Sequence, residues 1–113
     1  MKNIIMLCLV FAAISVQAQQ AKNKNAKYVI EVNGNCEQCK KRIEKAAYSV
    51  GGVKSANWDI ETDQLSLIVN EEKTTILEVK KAIANIGHDT DEVKTTPEIY
   101  EKLHSCCHYE RKP

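Results

Sequence analysis

Between Lys27 and Lys94 the apolar residues switch repeatedly between spacing by twos and spacing by threes and fours, and the order of those switches restricts the fold more than any other feature. Lys27 to Val32 alternates, with Tyr28, Ile30 and Val32 on one face, as in a half-buried strand. Asn33-Gly34-Asn35 interrupts it. From Glu37 to Val50 the period becomes helical: Cys39, Ile43, Ala46 or Ala47, and Val50 form a stripe, while Lys40, Lys41, Glu44 and Lys45 lie elsewhere. Gly51-Gly52 stops the helix. Val53 to Ile60 reads as a second strand carrying Ala56, Trp58 and Ile60 on one side. Thr62-Asp63 makes a turn, and Gln64 to Val69 is a third strand with Leu65, Leu67 and Val69 inward, so the two should form an antiparallel hairpin. Thr74 or Thr75 caps a second helix, with Glu78 placed for a capping box, an Ile76, Val79, Ile83, Ile86 stripe and Gly87 at its end. Thr90 to Lys94 is expected as a short closing edge strand, and Thr96-Pro97 opens a brief helix, Glu98 to Leu103. The order β-α-β-β-α-β predicts an α+β, ferredoxin-like two-layer sandwich with both helices on one face, followed by a short C-terminal helix and a Cys/His tail.

The first residues do not belong to that pattern. Lys2 precedes an apolar run from Ile4 to Ile14, and Val16-Gln17-Ala18 resembles a signal-peptidase site. Residues 1–18 are therefore expected to be a cleaved secretory signal, and the run is well short of the ~20 residues that span a bilayer. Leu7 is too bulky for Cys8 to be a lipid-attachment site. The polar residues 19–26 read as a flexible leader, 27–94 as one domain and 95–113 as the C-terminal helix and tail. The expected location is exported, periplasmic, with no stable membrane insertion after cleavage.

Once Lys2 leaves with the signal, 15 Lys and Arg face 15 Asp and Glu. That balance argues against nucleic acid as a partner, which would require a clear basic excess. No Ser-His-Asp arrangement, phosphate-cradling glycine loop or paired catalytic carboxylates are present, so an enzyme is not expected.

The cysteines carry the chemistry. Five occur, and four remain after export: Cys36, Cys39, Cys106 and Cys107. Their spacing, three apart and adjacent, suits metal or redox chemistry better than a long-range staple. Gly34-Asn35-Cys36-Glu37-Gln38-Cys39 puts one thiol on the loop and the other in the first helical turn, so both can face one ion. The helix N-terminus, with Lys40 and Lys41 nearby, favours thiolates. Two thiolates suit a soft ion content with few ligands: copper(I) fits best, mercury(II) for the same reason, and zinc(II) would need further ligands.

A C-x-x-C at the junction of the first strand and first helix resembles the heavy-metal-associated domain family over roughly residues 27–94. Gly34, Cys36, Cys39, the Gly51-Gly52-Val53 step and Ile86-Gly87-His88-Asp89 carry the resemblance. It implies a metal held between Cys36 and Cys39, and a monomer docking transiently with a metal-transport or cuproprotein partner. The family usually has Gly-Met-x-Cys-x-x-Cys; here Gly34-Asn35-Cys36 is one residue shorter and lacks the Met that packs beneath the loop.

Secondary ligand candidates are His88, beside the metal loop in the resembled fold, and the tail's His104, Cys106, Cys107 and His108. The tail either forms its own site, folds over Cys36 and Cys39, or oxidises to a vicinal disulfide. Lys40, Lys41, Arg42 and Lys45 read as a solvated helix face, with an acidic-partner docking surface as the other reading. The competing functions are a copper(I) chaperone or scavenger, a mercury(II)-binding detoxification protein, a thiol–disulfide oxidoreductase, and an adaptor with oxidised cysteines. An exported setting tends to oxidise thiols, and a Cys36–Cys39 disulfide would close the site.

Overall fold

The computed structural model describes residues 22–113, so the expected signal 1–18 and the start of the leader lie outside the described residues. The chain runs β1 (Ala26–Glu31), α1 (Glu37–Tyr48), β2 (Val53–Trp58), β3 (Gln64–Val69), α2 (Ile76–Asn85), α3 (Pro97–Glu101) and a single 3-10 turn (Ser105–Cys107). The end of the leader is not free: Asn23 and Glu71 exchange two hydrogen bonds of 2.9 Å just before β1 begins.

Alternation makes β3 the centre of the sheet. Leu65, Leu67 and Val69 are all buried, and β3 pairs antiparallel with both neighbours in the order β1-β3-β2. The hairpin is present as expected, with Trp58 opposite Leu65, and Asp63 takes a left-handed φ of 60° in its loop. β2 ends at Trp58 because the chain turns there, Asp59 and Gln64 closing the loop through a 2.9 Å backbone bond. Ile60, expected on the core side of that strand, lies outside the core and is 38% exposed.

Helix α1 presents Cys39, Ile43, Ala46 and Ala47 to the core. It stops at Tyr48, before Gly51-Gly52, because the Ser49 hydroxyl turns back on the Ala46 carbonyl at 2.6 Å. Thr75 is the cap of α2, its hydroxyl accepting from the Glu78 amide, and Val79 and Ile83 are its buried stripe. Both helices pack on one face of the sheet, around a core that includes Ile43, Trp58, Leu65 and Ile83.

The closing strand is the main departure. Instead of a strand over Thr90–Lys94 there is one isolated bridge, Val32 to Thr90, flanked by backbone bonds from Asn33 to Asp89 and from Asp91 to Glu31. The cause is local. The Thr90 hydroxyl binds the amide and the carbonyl of Val93, curling the chain into a turn, as Ser and Thr side chains do when they compete with ladders. Lys80, nearly buried, draws Asp91 and Glu92 away from the sheet at 3.2 and 3.5 Å.

The C-terminal segment folds back over the Gly87–Asp89 turn. Thr96 caps α3 with Pro97 at its first position, and the helix ends at Glu101, two residues earlier than expected. Leu103 then packs on Gly87, whose φ of +110° only glycine adopts easily; a Cβ there would stand 2.7 Å from a Leu103 methyl. Tyr109 is buried, its hydroxyl donating to the Gly87 carbonyl at 2.8 Å and accepting from the Asp89 amide at 2.9 Å. Arg111 meets the fully buried Asp89 carboxylate with two bonds of 2.8 and 2.9 Å. Removing the Tyr109 hydroxyl leaves a buried amide unpaired, which typically costs about 1–3 kcal/mol. Tyr109→Phe is therefore expected to lower the unfolding free energy by roughly that amount in a denaturant titration.

Candidate metal centre

The loop between β1 and α1 is shaped from below by Trp58. Its indole donates to the Val32 carbonyl at 2.9 Å, and the ring stands 3.0 Å from where a Cβ on Gly34 would sit. Trp58 thus occupies the space under the loop in a chain that lacks the family's Met. Gly34 allows the close approach that brings the backbone down onto the ring.

Cys36 is the N-cap of α1. Its extended backbone (φ −149°, ψ 169°) aims the sulfur back at the helix, where it accepts from the Cys39 amide at 3.4 Å. Cys39, in the first turn, is fully buried, with its sulfur 3.2 Å from that of Cys36 and between the amide and the side-chain oxygen of Asn35, at 3.5 and 3.4 Å.

The tail comes to the same place. The 3-10 turn carries Cys106 and Cys107 onto Cys36, each with its sulfur 3.5 Å from the Cys36 sulfur and 3.9 Å from the other's. Cys107 is buried and Cys106 exposed, the latter also 3.3 Å from the Gln38 side-chain oxygen. All four thiols are free. Among the described residues Cys36, Cys106 and Cys107 have sulfurs mutually within 4.8 Å, and Cys39 adjoins them through Cys36.

The thiols differ in acidity. Burial pushes Cys36 up, but contacts from the Cys39 thiol and amide and from Cys106 and Cys107 outweigh it, leaving a value of about 7. Burial raises Cys39 and Cys107, the neighbouring thiols adding to the rise at Cys107. The expectation that Lys40 helps ionise the pair is not met. Its ammonium is turned to the far side, bonded to Glu44 at 2.7 Å and to Asn57 and the Trp58 carbonyl at 2.9 Å. Arg42, read as a solvated charge, instead donates to the Ile86 carbonyl at 2.7 Å and ties α1 to the end of α2.

The histidines are placed differently from one another. His104 stands at the rim, Nδ1 4.0 Å from the Cys106 sulfur. His108 turns away and stacks on Tyr100, with centroids 5.1 Å apart. His88 is fully buried, and the structure does not bring it into the thiol cluster. Its Nδ1 donates to the Asn33 carbonyl at 2.8 Å, its ring stacks on Tyr109, and its Nε2 has no partner. Its position behind the loop follows from the Gly87 turn, which α2 and Leu103 set.

A ferredoxin-like scaffold that presents paired thiols at the start of its first helix defines a class of soft-metal-binding domains. The family model described as the heavy-metal-associated domain matches residues 29–89, and the chain belongs to that family, a family of metal-binding domains rather than enzymes. The copper chaperone CopZ of Staphylococcus haemolyticus is 32% identical over 62 residues, 54% of this chain and 91% of that one. Heavy metal-associated isoprenylated plant protein 36 of Arabidopsis thaliana is 28% identical over 86 residues, 76% of this chain, which spans only 23% of the plant protein's length. Among solved structures, a CopZ metallochaperone superposes with a TM-score of 0.56 at 30% identity, covering 57% of this chain and 98% of that one. Oxidized MerP from Ralstonia metallidurans CH34 superposes with a TM-score of 0.52 at 25% identity, covering 58% and 96%. The family match ends at Asp89, before the segment that carries Cys106 and Cys107.

The buried histidine generates a pH prediction. Burial lowers the His88 pKa below 6.5, with Arg42 also opposing its charge and Asp89 and the Asn33 carbonyl supporting it. The unfolded chain therefore takes up the proton first as pH falls. Stability from this site is complete above the unfolded value of about 6.5 and is lost as pH drops towards the lower folded value. Thermal melts of the metal-free, reduced protein should show Tm falling between pH 7.5 and 5.5, and falling less in His88→Gln.

Proposed function

We propose that this protein is an exported carrier of a soft metal ion, copper(I) foremost, which Cys36 and Cys39 take up and release by ligand exchange. The observation that carries the reading is the pair of sulfurs 3.2 Å apart at the N-terminus of α1, one of them with a pKa brought down to about 7. A thiol at that value is substantially thiolate near neutrality, and thiolate is the form that binds metal. Soft sulfur favours copper(I) over harder ions. Likeness to a copper chaperone over 91% of that relative's length supports the same cargo. An incoming thiolate from a metal-transport or cuproprotein partner attacks the bound ion while one sulfur of the carrier leaves, so the ion passes without being released to water.

Mercury(II) is the second cargo, favoured by the likeness to MerP and by the same sulfur chemistry. Export rests on the apolar run Ile4 to Ile14 and the Val16-Gln17-Ala18 step, and it makes the periplasm the compartment of action.

Three measurements test the reading. In anaerobic titrations the reduced wild-type protein should bind copper(I) stoichiometrically and the Cys36→Ser/Cys39→Ser double variant far more weakly; equal affinity in both would refute it. Competition between copper(I) and mercury(II) then ranks the cargoes. Mass analysis of the secreted protein should find a chain beginning at Gln19, and an intact N-terminus would remove the export proposal.

A further inference from the structure

We infer that Cys106 and Cys107 are metal ligands, so that the C-terminal strap converts the paired-thiol site of α1 into an enclosed site holding one soft ion through at least three sulfurs. The inference rests on the metal-binding reading above and adds the ligand number and the means of retention.

Sulfur spacing carries the first part of the argument. With metal–sulfur bonds of about 2.3 Å, two ligands in line put their sulfurs about 4.6 Å apart, three in a plane about 4.0 Å, and four in a tetrahedron about 3.8 Å. Cys36, Cys106 and Cys107 form a triangle with edges of 3.5, 3.5 and 3.9 Å. That triangle is already near the three- and four-ligand spacings. The Cys36–Cys39 pair, at 3.2 Å, must open further for two-ligand binding than for a site with more sulfurs. Cys36 is the hub, touching all three other thiols.

How the strap is held supplies the second part. Leu103 is seated on Gly87 before the two cysteines, and Tyr109 and Arg111 are bonded to Gly87 and Asp89 after them. Tyr100 adds a bond to the Tyr109 carbonyl at 2.5 Å. The fold therefore delivers the thiols to Cys36 from both sides, and none of these anchors uses a cysteine. Each thiol that joins the ion gives up its proton to solvent as the metal–sulfur bond forms. Cys107 is enclosed, whereas Cys106 lies at the surface, where a partner's thiolate can displace it first.

X-ray absorption on the reduced full chain loaded with one equivalent of copper(I) tests this directly. Three or four sulfurs around copper are expected, falling to two in Cys106→Ser/Cys107→Ser. Against a chromophoric chelator, that variant should bind copper(I) at least about tenfold more weakly, since loss of even an outer partner of a metal typically costs 10- to 100-fold. It should also surrender copper faster. Cys106→Ser alone, at an exposed position, should remove one sulfur from the copper and weaken binding without touching the core. Two sulfurs around copper in the wild type, or unchanged affinity in both variants, would overturn the inference while leaving the carrier reading intact. Failure of the wild type to bind copper(I) would overturn both.

Discussion

One sulfur atom holds the centre together. Cys36 caps α1 by accepting the Cys39 amide, and the same atom touches the thiols of Cys39, Cys106 and Cys107. A cap normally comes from an oxygen of Ser, Thr, Asp or Asn, which accepts the free amides of a first turn. Using a thiol there aims it along the helix dipole, where negative charge is favoured. The contacts that bring Cys36 down to about 7 are thus the contacts that position it. Helix start and candidate metal ligand are one structural element.

Around that atom the fold is arranged in two supports. Below the loop, Trp58 fills the space and fixes the backbone through the Val32 carbonyl. Behind it, the turn at Gly87–Asp89 gathers the end of α2, the Leu103 side chain, the Tyr109 hydroxyl and the Arg111 guanidinium. Asp89 is fully buried, and burial by itself would raise its pKa; the Arg111 pair and the Thr95 amide reverse this and keep it low. A buried carboxylate left without its guanidinium would be costly, so the ion pair commits the C-terminal segment to this position.

Acidity across the cluster is graded. Its contacts bring Cys36 down to about 7, while burial pushes Cys39 and Cys107 up. In the carrier reading proposed above, an arriving cation would meet one prepared anion beside thiols that give up their protons as metal–sulfur bonds form. This order suits capture of an ion from another sulfur donor, where the first bond must form before the old one breaks.

The apolar periods of the sequence determined the sandwich, and the break at Asn33-Gly34-Asn35 placed the paired thiols at a helix start, because spacing by twos and by threes and fours is local information. Thr75 as a cap and Leu65, Leu67 and Val69 as an inward row were legible for the same reason. The closing strand was not: Thr90 to Lys94 has strand-like composition, but its outcome turned on Lys80, distant in sequence, and on the Thr90 hydroxyl. Nor did composition show that Lys40 faces Trp58 rather than the thiols, or that His88 is sealed behind Tyr109. The tail shows the division most clearly. His104, Cys106, Cys107 and His108 stood out as a group, yet only the tertiary structure separated them, carrying the cysteines to Cys36, leaving His104 at the rim and stacking His108 on Tyr100. Bonds between Arg111 and Asp89, 22 residues apart, made that choice, and long-range pairing of this kind leaves no period in a sequence to read.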